Sequence, residues 1–231
     1  MKYKHILFDL DHTLWDYDTN ARETLSDLYD HYELGRHELF EKEDFIVTFF
    51  DINESLWSAY NKDQIAKGYI RENRFRQIFD HLRLPLKYYP QGIDDNYLHA
   101  CPQKTNKIAH ADEVLTYLKP HFQLHILTNG FNDVQSVKLE KSGLSQYFDK
   151  IVTSESAKAK KPNAAFFDHA ISEINTHPEE TLMIGDNLNT DIKGARDYGI
   201  DQVYYNPEKN TDYQSTYAIG CLRELKHILK K

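Results

Sequence analysis

The chain has 231 residues, 40% hydrophobic and 28% charged, with a formal net charge of −8. That composition supplies a sizeable core and argues against disorder, and the length suits one large domain or a core with a smaller lobe. The negative charge repels nucleic-acid phosphates and anionic lipid, which argues against either as partner but leaves room for a small anion held by a local cation.

The N-terminal "MKYKHILFDLD" turns acidic after three apolar residues, unlike a secretory leader. No run approaches the roughly 18 apolar residues of a membrane span. Cys101 and Cys221 are far apart and lack metal-ligand spacing, as expected of reduced thiols in a cytoplasmic protein. The sequon Asn53-Glu54-Ser55 then carries no meaning. There is no internal repeat and no low-complexity segment.

In chain order, the first strand candidate is "KHILFDL" (4–10). From Asp16 to Ala100 no convincing strand follows, only apolar residues at helical spacing: Leu25, Leu28, Tyr29 and Tyr32; Phe45, Phe49, Ile52, Leu56 and Tyr60; Phe75, Ile78, Phe79 and Leu82; and a shorter set at Ile93 and Tyr97. Pro85 and Pro90 punctuate the later part. This reads as an all-helical insert of three or four helices. Beyond it, strand candidates "FQLHILTN" (122–129), "DKIVTSE" (149–155), "TLMIGD" (181–186) and "DQVYYN" (201–206) alternate with helical stretches at 110–119, 132–143, 163–174 and 189–199. Gly143 and Gly199 stand where helix C-caps fall. "YAIGCLRELKHILKK" (217–231) reads as a closing helix with Ile219, Leu222, Leu225 and Leu229 on one face. The expected fold is α/β: a Rossmann-like parallel sheet core (1–15 and 101–231) with helices on both faces, and a helical domain (16–100) inserted after the first strand.

Ligands of parallel α/β sheets bind at the carboxyl ends of the strands. There the sequence places Asp9, Asp11 and Thr13; then Thr128, Asn129 and Gly130; then the basic "SAKAKKPN" (156–163); then "GDNLNTD" (185–191) with Asp186 and Asp191. Each piece alone is a common loop sequence. Together, after four consecutive strands, they describe a site for a phosphate and a divalent cation.

These residues resemble the haloacid dehalogenase-like hydrolases. Asp9-Leu10-Asp11-His12-Thr13 is similar to the first motif of that family, Thr128 to the second, Lys161-Pro162 to the third, and Gly185-Asp186 with Asp191 to the fourth. The helical insert is similar to the cap domain of one major branch. Within the family, "INESLWSAYNKDQIAKGYIRENRF" (52–75) and "ILTNGFNDVQSVKLEKSGL" (126–144) resemble bacterial pyrimidine 5′-nucleotidases that clear non-standard nucleotides. The sequence departs from the family pattern at His12, where Gly or Asp is usual, and at Lys158, where Gly often stands.

The resemblance implies a Mg²⁺-dependent phosphomonoesterase working through an aspartyl-phosphate. Asp9 is the nucleophile and Asp11 the general acid and base. Mg²⁺ is held by Asp9, the Asp11 backbone carbonyl and Asp186, with Asp191 and Thr13 supporting. Thr128, the backbone N–H of Asn129 and Lys161 hold phosphate. Lys161 is preferred to Lys160 because a residue before proline is pushed to an extended conformation. The expected partner is a small phosphorylated metabolite, a nucleoside monophosphate, bound by a monomer or homodimer. In the cap, Arg71, Asn73 and Arg74 are candidates to touch base or sugar, against the blander reading as solvated helix residues. Trp15 and Asp16 are candidates to border the entrance. Trp57 and Tyr60 read as cap core. A phosphoglycolate or sugar-phosphate phosphatase, or a phosphosugar mutase, fits the same core. A dehalogenase fits less well, since it gives Asp11 no proton to move. A non-catalytic receiver or phospho-ligand-binding regulator is the rival from another class; a receiver is typically shorter and lacks the insert.

Overall fold

A sheet of six parallel strands organises the chain in this computed structural model, which describes residues 2–209 and 214–230. The strands are β1 (His5–Phe8), β2 (Gln123–Thr128), β3 (Lys150–Thr153), β4 (Thr181–Gly185), β5 (Asp201–Tyr205) and β6 (Tyr217–Ile219), in the order β3-β2-β1-β4-β5-β6. All four residues of β1 are buried, as a strand covered on both faces requires. On one face Leu7, Leu127, Val152 and Met183 pack with Phe166, Phe167, Ala170, Ile171 and Ile174 of α7 (Ala164–Ile174) and Ala195 of α8 (Lys193–Tyr198). On the other, Ile6, Phe8, Leu124 and Ile126 are buried as well. The remaining helices of this unit are α5 (Ala111–Leu118), α6 (Asn132–Lys141) and the short α9 (Leu225–Ile228).

By compactness the chain divides into Met1–Tyr17 with Thr105–Lys231, and Asp18–Lys104. The division falls a few residues later than the 15/16 and 100/101 boundaries expected from patterning. The outgoing and returning segments pair with each other: Trp15 bridges to Lys107, Asp16 N–H donates to the Asn106 carbonyl at 3.1 Å, and Ile108 N–H to Leu14 at 2.9 Å.

The second unit is helical, with α1 (Tyr17–His31) leading into it, then α2 (Lys42–Asn61), α3 (Lys67–His81) and α4 (Ile93–Ala100). Its core is aromatic. Phe45 stacks on Phe79 at 5.8 Å, and Phe49 lies against Phe75 (5.8 Å) and Tyr97 (4.9 Å). Arg74 is buried within this cluster, donating to Asn53 Oδ1 at 3.0 Å and lying 4.4 Å from the Tyr97 ring centroid. Asn73 donates to the Tyr69 carbonyl, and Trp57 packs edge-on against Tyr60. Among the described residues no helix is long and apolar enough to cross a membrane.

The closing helix expected over 217–231 is corrected: Tyr217–Ile219 form the sixth strand, paired in parallel with Val203–Tyr205. The helical turns begin only after Cys221, because the Glu224 carboxylate accepts from the Gly220 and Cys221 N–H groups and starts a new element there. The apolar spacing of Ile219 with Leu222 and Leu225 is therefore shared between two elements. Lys231 lies outside the described residues.

Candidate active site

The strand order puts β2, β1 and β4 side by side, with β3 beyond β2. Phe8 is level with Ile126 and Ile184, and the Asp9 N–H continues the ladder to the Ile184 carbonyl at 2.9 Å. The polar residues after these strands are thereby brought to one end of the sheet.

Lys161 is the centre of the arrangement. It is 1% exposed. Its Nζ lies 2.6 Å from Asp9 Oδ1, 2.7 Å from Asp191 Oδ1 and 2.6 Å from the Leu127 carbonyl. Burial opposes its charge, but Asp191 and Asp9 outweigh burial and raise its pKa, so it is a cation throughout. The loop that carries it is latched by Asn129: the Lys161 N–H donates to Asn129 Oδ1 at 2.9 Å, and Asn129 Nδ2 returns a bond to the Lys161 carbonyl at 3.0 Å. Lys160, the residue before it, is half-buried.

Asp191 stands on a wide turn of π-helix (Leu188–Ile192), ahead of α8. Its Oδ1 meets Lys161 and the Thr190 hydroxyl, and its Oδ2 accepts the Asn187 N–H at 3.1 Å. It passes so close to Gly185 that a Cβ there would lie 2.4 Å from its Oδ2. Asp186 accepts from the Thr13 hydroxyl at 2.9 Å.

Asp9, Asp186 and Asp191 each offer a carboxylate oxygen, all within 4.8 Å of one another. Three carboxylates face one ammonium, which leaves two surplus negative charges when all are ionised. Burial first, then Asp191 and Asp186, push the Asp9 carboxyl well above the usual range despite Lys161. Burial and Asp191 push Asp186 up to about 6. A divalent ion with a preference for carboxylate oxygen fits this donor set. Asp191 has both oxygens engaged, by Lys161 and the Asn187 N–H, while Asp9 and Asp186 each have one oxygen engaged and could hold such an ion.

Asp11 has separate surroundings. Burial pushes its carboxyl up, but the Lys138 charge, together with hydrogen bonds from Lys138 (2.6 Å to Oδ1) and Gln135 (2.9 Å to Oδ2), outweighs burial and lowers its pKa. Neither Gln135 nor Lys138 is a candidate from the motifs. The only sequence signal is their spacing of three on a helix, just after Thr128-Asn129-Gly130. Trp15, a candidate for the entrance, is instead fully buried, with Lys138 Nζ 4.4 Å from its ring centroid.

The two departures from the family pattern share a backbone conformation. His12 and Lys158 have φ of +61° and +50°, a conformation that glycine adopts at no steric cost and other residues at about 1–2 kcal/mol.

Residues 6–204 match the haloacid dehalogenase-like hydrolase family. The chain is a haloacid dehalogenase-like hydrolase. It is 32% identical over 241 residues to the pyrimidine 5′-nucleotidase PynA of Streptococcus pneumoniae, covering 100% of this chain and 97% of that protein. It is 28% identical over 235 residues to the pyrimidine 5′-nucleotidase YjjG of Escherichia coli, covering both in full. Among solved structures it is similar to the HAD-hydrolase YfnB of Bacillus subtilis, solved bound to magnesium, with a TM-score of 0.89 at 28% identity and full coverage of both chains. The residues that resemble the four motifs of this family lie at the end of, or in the segment after, four adjacent strands of one sheet.

Proposed function

We propose that this hydrolase is a cytoplasmic, Mg²⁺-dependent phosphomonoesterase that cleaves nucleoside 5′-monophosphates, pyrimidines favoured, through an aspartyl-phosphate. The observation that carries the chemistry is the contrast between two carboxylates two residues apart. Asp9 stands in a cluster with surplus negative charge and one buried lysine, and Asp11 is paired with a lysine of its own. Full-length similarity to two proteins named pyrimidine 5′-nucleotidases supports the substrate class.

The Asp9 carboxylate attacks phosphorus, the bond from phosphorus to the 5′-oxygen breaks, and Asp11 gives that oxygen a proton. The Asp11 carboxylate then takes a proton from a water that attacks the aspartyl-phosphate, releasing inorganic phosphate and free Asp9. The lowered pKa of Asp11 suits the second step. In the first, the incoming phosphate dianion favours its protonated form by like-charge repulsion. Lys161 offsets charge on Asp9 and on the transferring group, and the Thr128 hydroxyl and Asn129 N–H hold phosphate oxygens. The Asp9 and Asp186 carboxylates and the Asp11 carbonyl would hold Mg²⁺, which would supply neutralisation of the surplus charge and polarisation of the phosphoryl oxygens. Thr13 and Asp191 keep Asp186 and Lys161 in place.

The test is phosphate release from dUMP, dTMP, UMP, purine nucleotides, phosphoglycolate and sugar phosphates, with and without Mg²⁺, using Asp9→Asn as control. The expected result is Mg²⁺-dependent release led by pyrimidine nucleotides and abolished by Asp9→Asn. Release led by phosphoglycolate or a sugar phosphate keeps the chemistry and overturns the substrate class. No release from any ester overturns both.

A further inference from the structure

We propose that Gln135 and Lys138, three residues apart on one face of α6, are a positioning pair that holds Asp11 and Thr128 in a single frame for the reaction. The proposal rests on the phosphomonoesterase reading above.

Gln135 is fully buried. Its Nε2 forks, 2.9 Å from Asp11 Oδ2 and 2.9 Å from Thr128 Oγ1. Lys138 Nζ takes the other Asp11 oxygen at 2.6 Å. Held at one point, a carboxylate still turns about its last bond, since that torsion is soft. Held at both oxygens from one rigid helix, its plane is set. Thr128 is constrained by the same amide. Its Oγ1 accepts from Gln135 Nε2 and from the Gly130 N–H at 3.0 Å. A hydroxyl has two acceptor lone pairs and one hydrogen. With both lone pairs filled, the Thr128 hydroxyl is left with only a hydrogen to give, which is what a phosphate oxygen needs.

Two features weigh against a purely structural role. Gln135 Oε1 is buried with no hydrogen-bond partner, a desolvation cost carried by the same amide that donates to Asp11 and Thr128. Lys138 is 4% exposed, and burying one ion pair gains little over two well-packed apolar residues. Its Nζ lies over two rings, 4.4 Å from the Trp15 centroid and 5.6 Å from that of Tyr17. Gly130 is the opening that lets Gln135 cross: a Cβ there would lie 1.9 Å from Gln135 Nε2.

The test compares a nucleoside monophosphate, whose alkoxide must receive a proton to leave, with p-nitrophenyl phosphate, whose phenolate leaves unaided. In single-turnover measurements of the first step, release of the leaving group, which exclude the water step that both esters share, Lys138→Met is expected to slow UMP by roughly 10²-fold, in the range general acid–base catalysis contributes, and p-nitrophenyl phosphate by less than about threefold. Its KM and its inhibition by inorganic phosphate are expected to stay within about threefold, and Lys138→Arg to recover about tenfold of the loss. Gln135→Met is read in parallel because Lys138→Met leaves Asp11 buried with a weaker partner. It is expected to remain folded at the assay temperature, to lose kcat on UMP, and to weaken inhibition by inorganic phosphate. Equal losses on both esters in the single-turnover first step, or a Gln135→Met enzyme with wild-type kcat on UMP, overturn the pair while leaving the phosphomonoesterase reading intact. A wild-type enzyme that releases phosphate from neither ester fails that reading, and the pair with it.

Discussion

Replacing Lys161 with methionine removes one ammonium from between Asp9 and Asp191 and keeps much of the volume. The side chain is 1% exposed and touches two carboxylates at 2.6 and 2.7 Å. Breaking a buried pair from one side costs about 3–5 kcal/mol, because the remaining charge has neither water nor a partner. That is a large share of a typical stability of about 5–15 kcal/mol. With a urea slope near 3 kcal/mol/M, the unfolding midpoint falls by roughly 1–1.7 M. The assay is urea unfolding in EDTA, which keeps a divalent ion from compensating. The sign with pH follows from Asp9 and Asp186, whose folded-state pKa values are already raised. Without Lys161 they take up protons in the folded state before the unfolded one, so the deficit grows as pH rises from 5 to 8. Adding Asp191→Asn removes one of the stranded charges and is expected to recover about 1–3 kcal/mol. A deficit below about 1 kcal/mol at pH 8, or a double variant whose losses simply add, refutes the argument that Lys161 is there to balance these carboxylates.

At the opposite end of β2, His125 is 1% exposed and 3.2 Å from His5, and burial first, then the neighbouring His5, pushes its pKa down to about 4. The unfolded chain binds this proton first, so stability is full above about pH 6.5 and falls by up to about 3 kcal/mol as pH drops toward 4. His125→Leu should flatten the pH dependence of the urea midpoint, and an unchanged slope would exclude the histidine as its source. Gly130→Ala puts a methyl where Gln135 crosses and is expected to cost roughly 10–100-fold in kcat with little change in melting temperature; wild-type turnover would show that Gln135 moves freely. Mg²⁺ at about 100 times its Kd should stabilise the protein by about 2.7 kcal/mol, a rise of roughly 5–10 °C in Tm. Asp186→Asn should abolish that rise, and a rise that survives the substitution places the ion elsewhere.

Local chemistry made much of this protein legible in its sequence. A buried strand has to end somewhere, and the residue types at the ends of β1, β2 and β4 are the ones a parallel sheet presents to a ligand. Helical spacing without strand signals from Asp16 to Ala100 marked the insert. Only the tertiary structure decided the pairings, because an ion pair such as Lys161 with Asp9 joins residues 152 positions apart and leaves no local period. It set Lys161 between Asp9 and Asp191, turned the Asn129 side chain to the Lys161 loop, and set Gln135 and Lys138 on Asp11. It buried Arg74 among aromatic rings, where spacing alone suggests a solvated helix. At Tyr217–Ile219 the apolar pattern fits a helix, and pairing with β5 made it a strand, since an open sheet edge supplies backbone partners that no sequence pattern records.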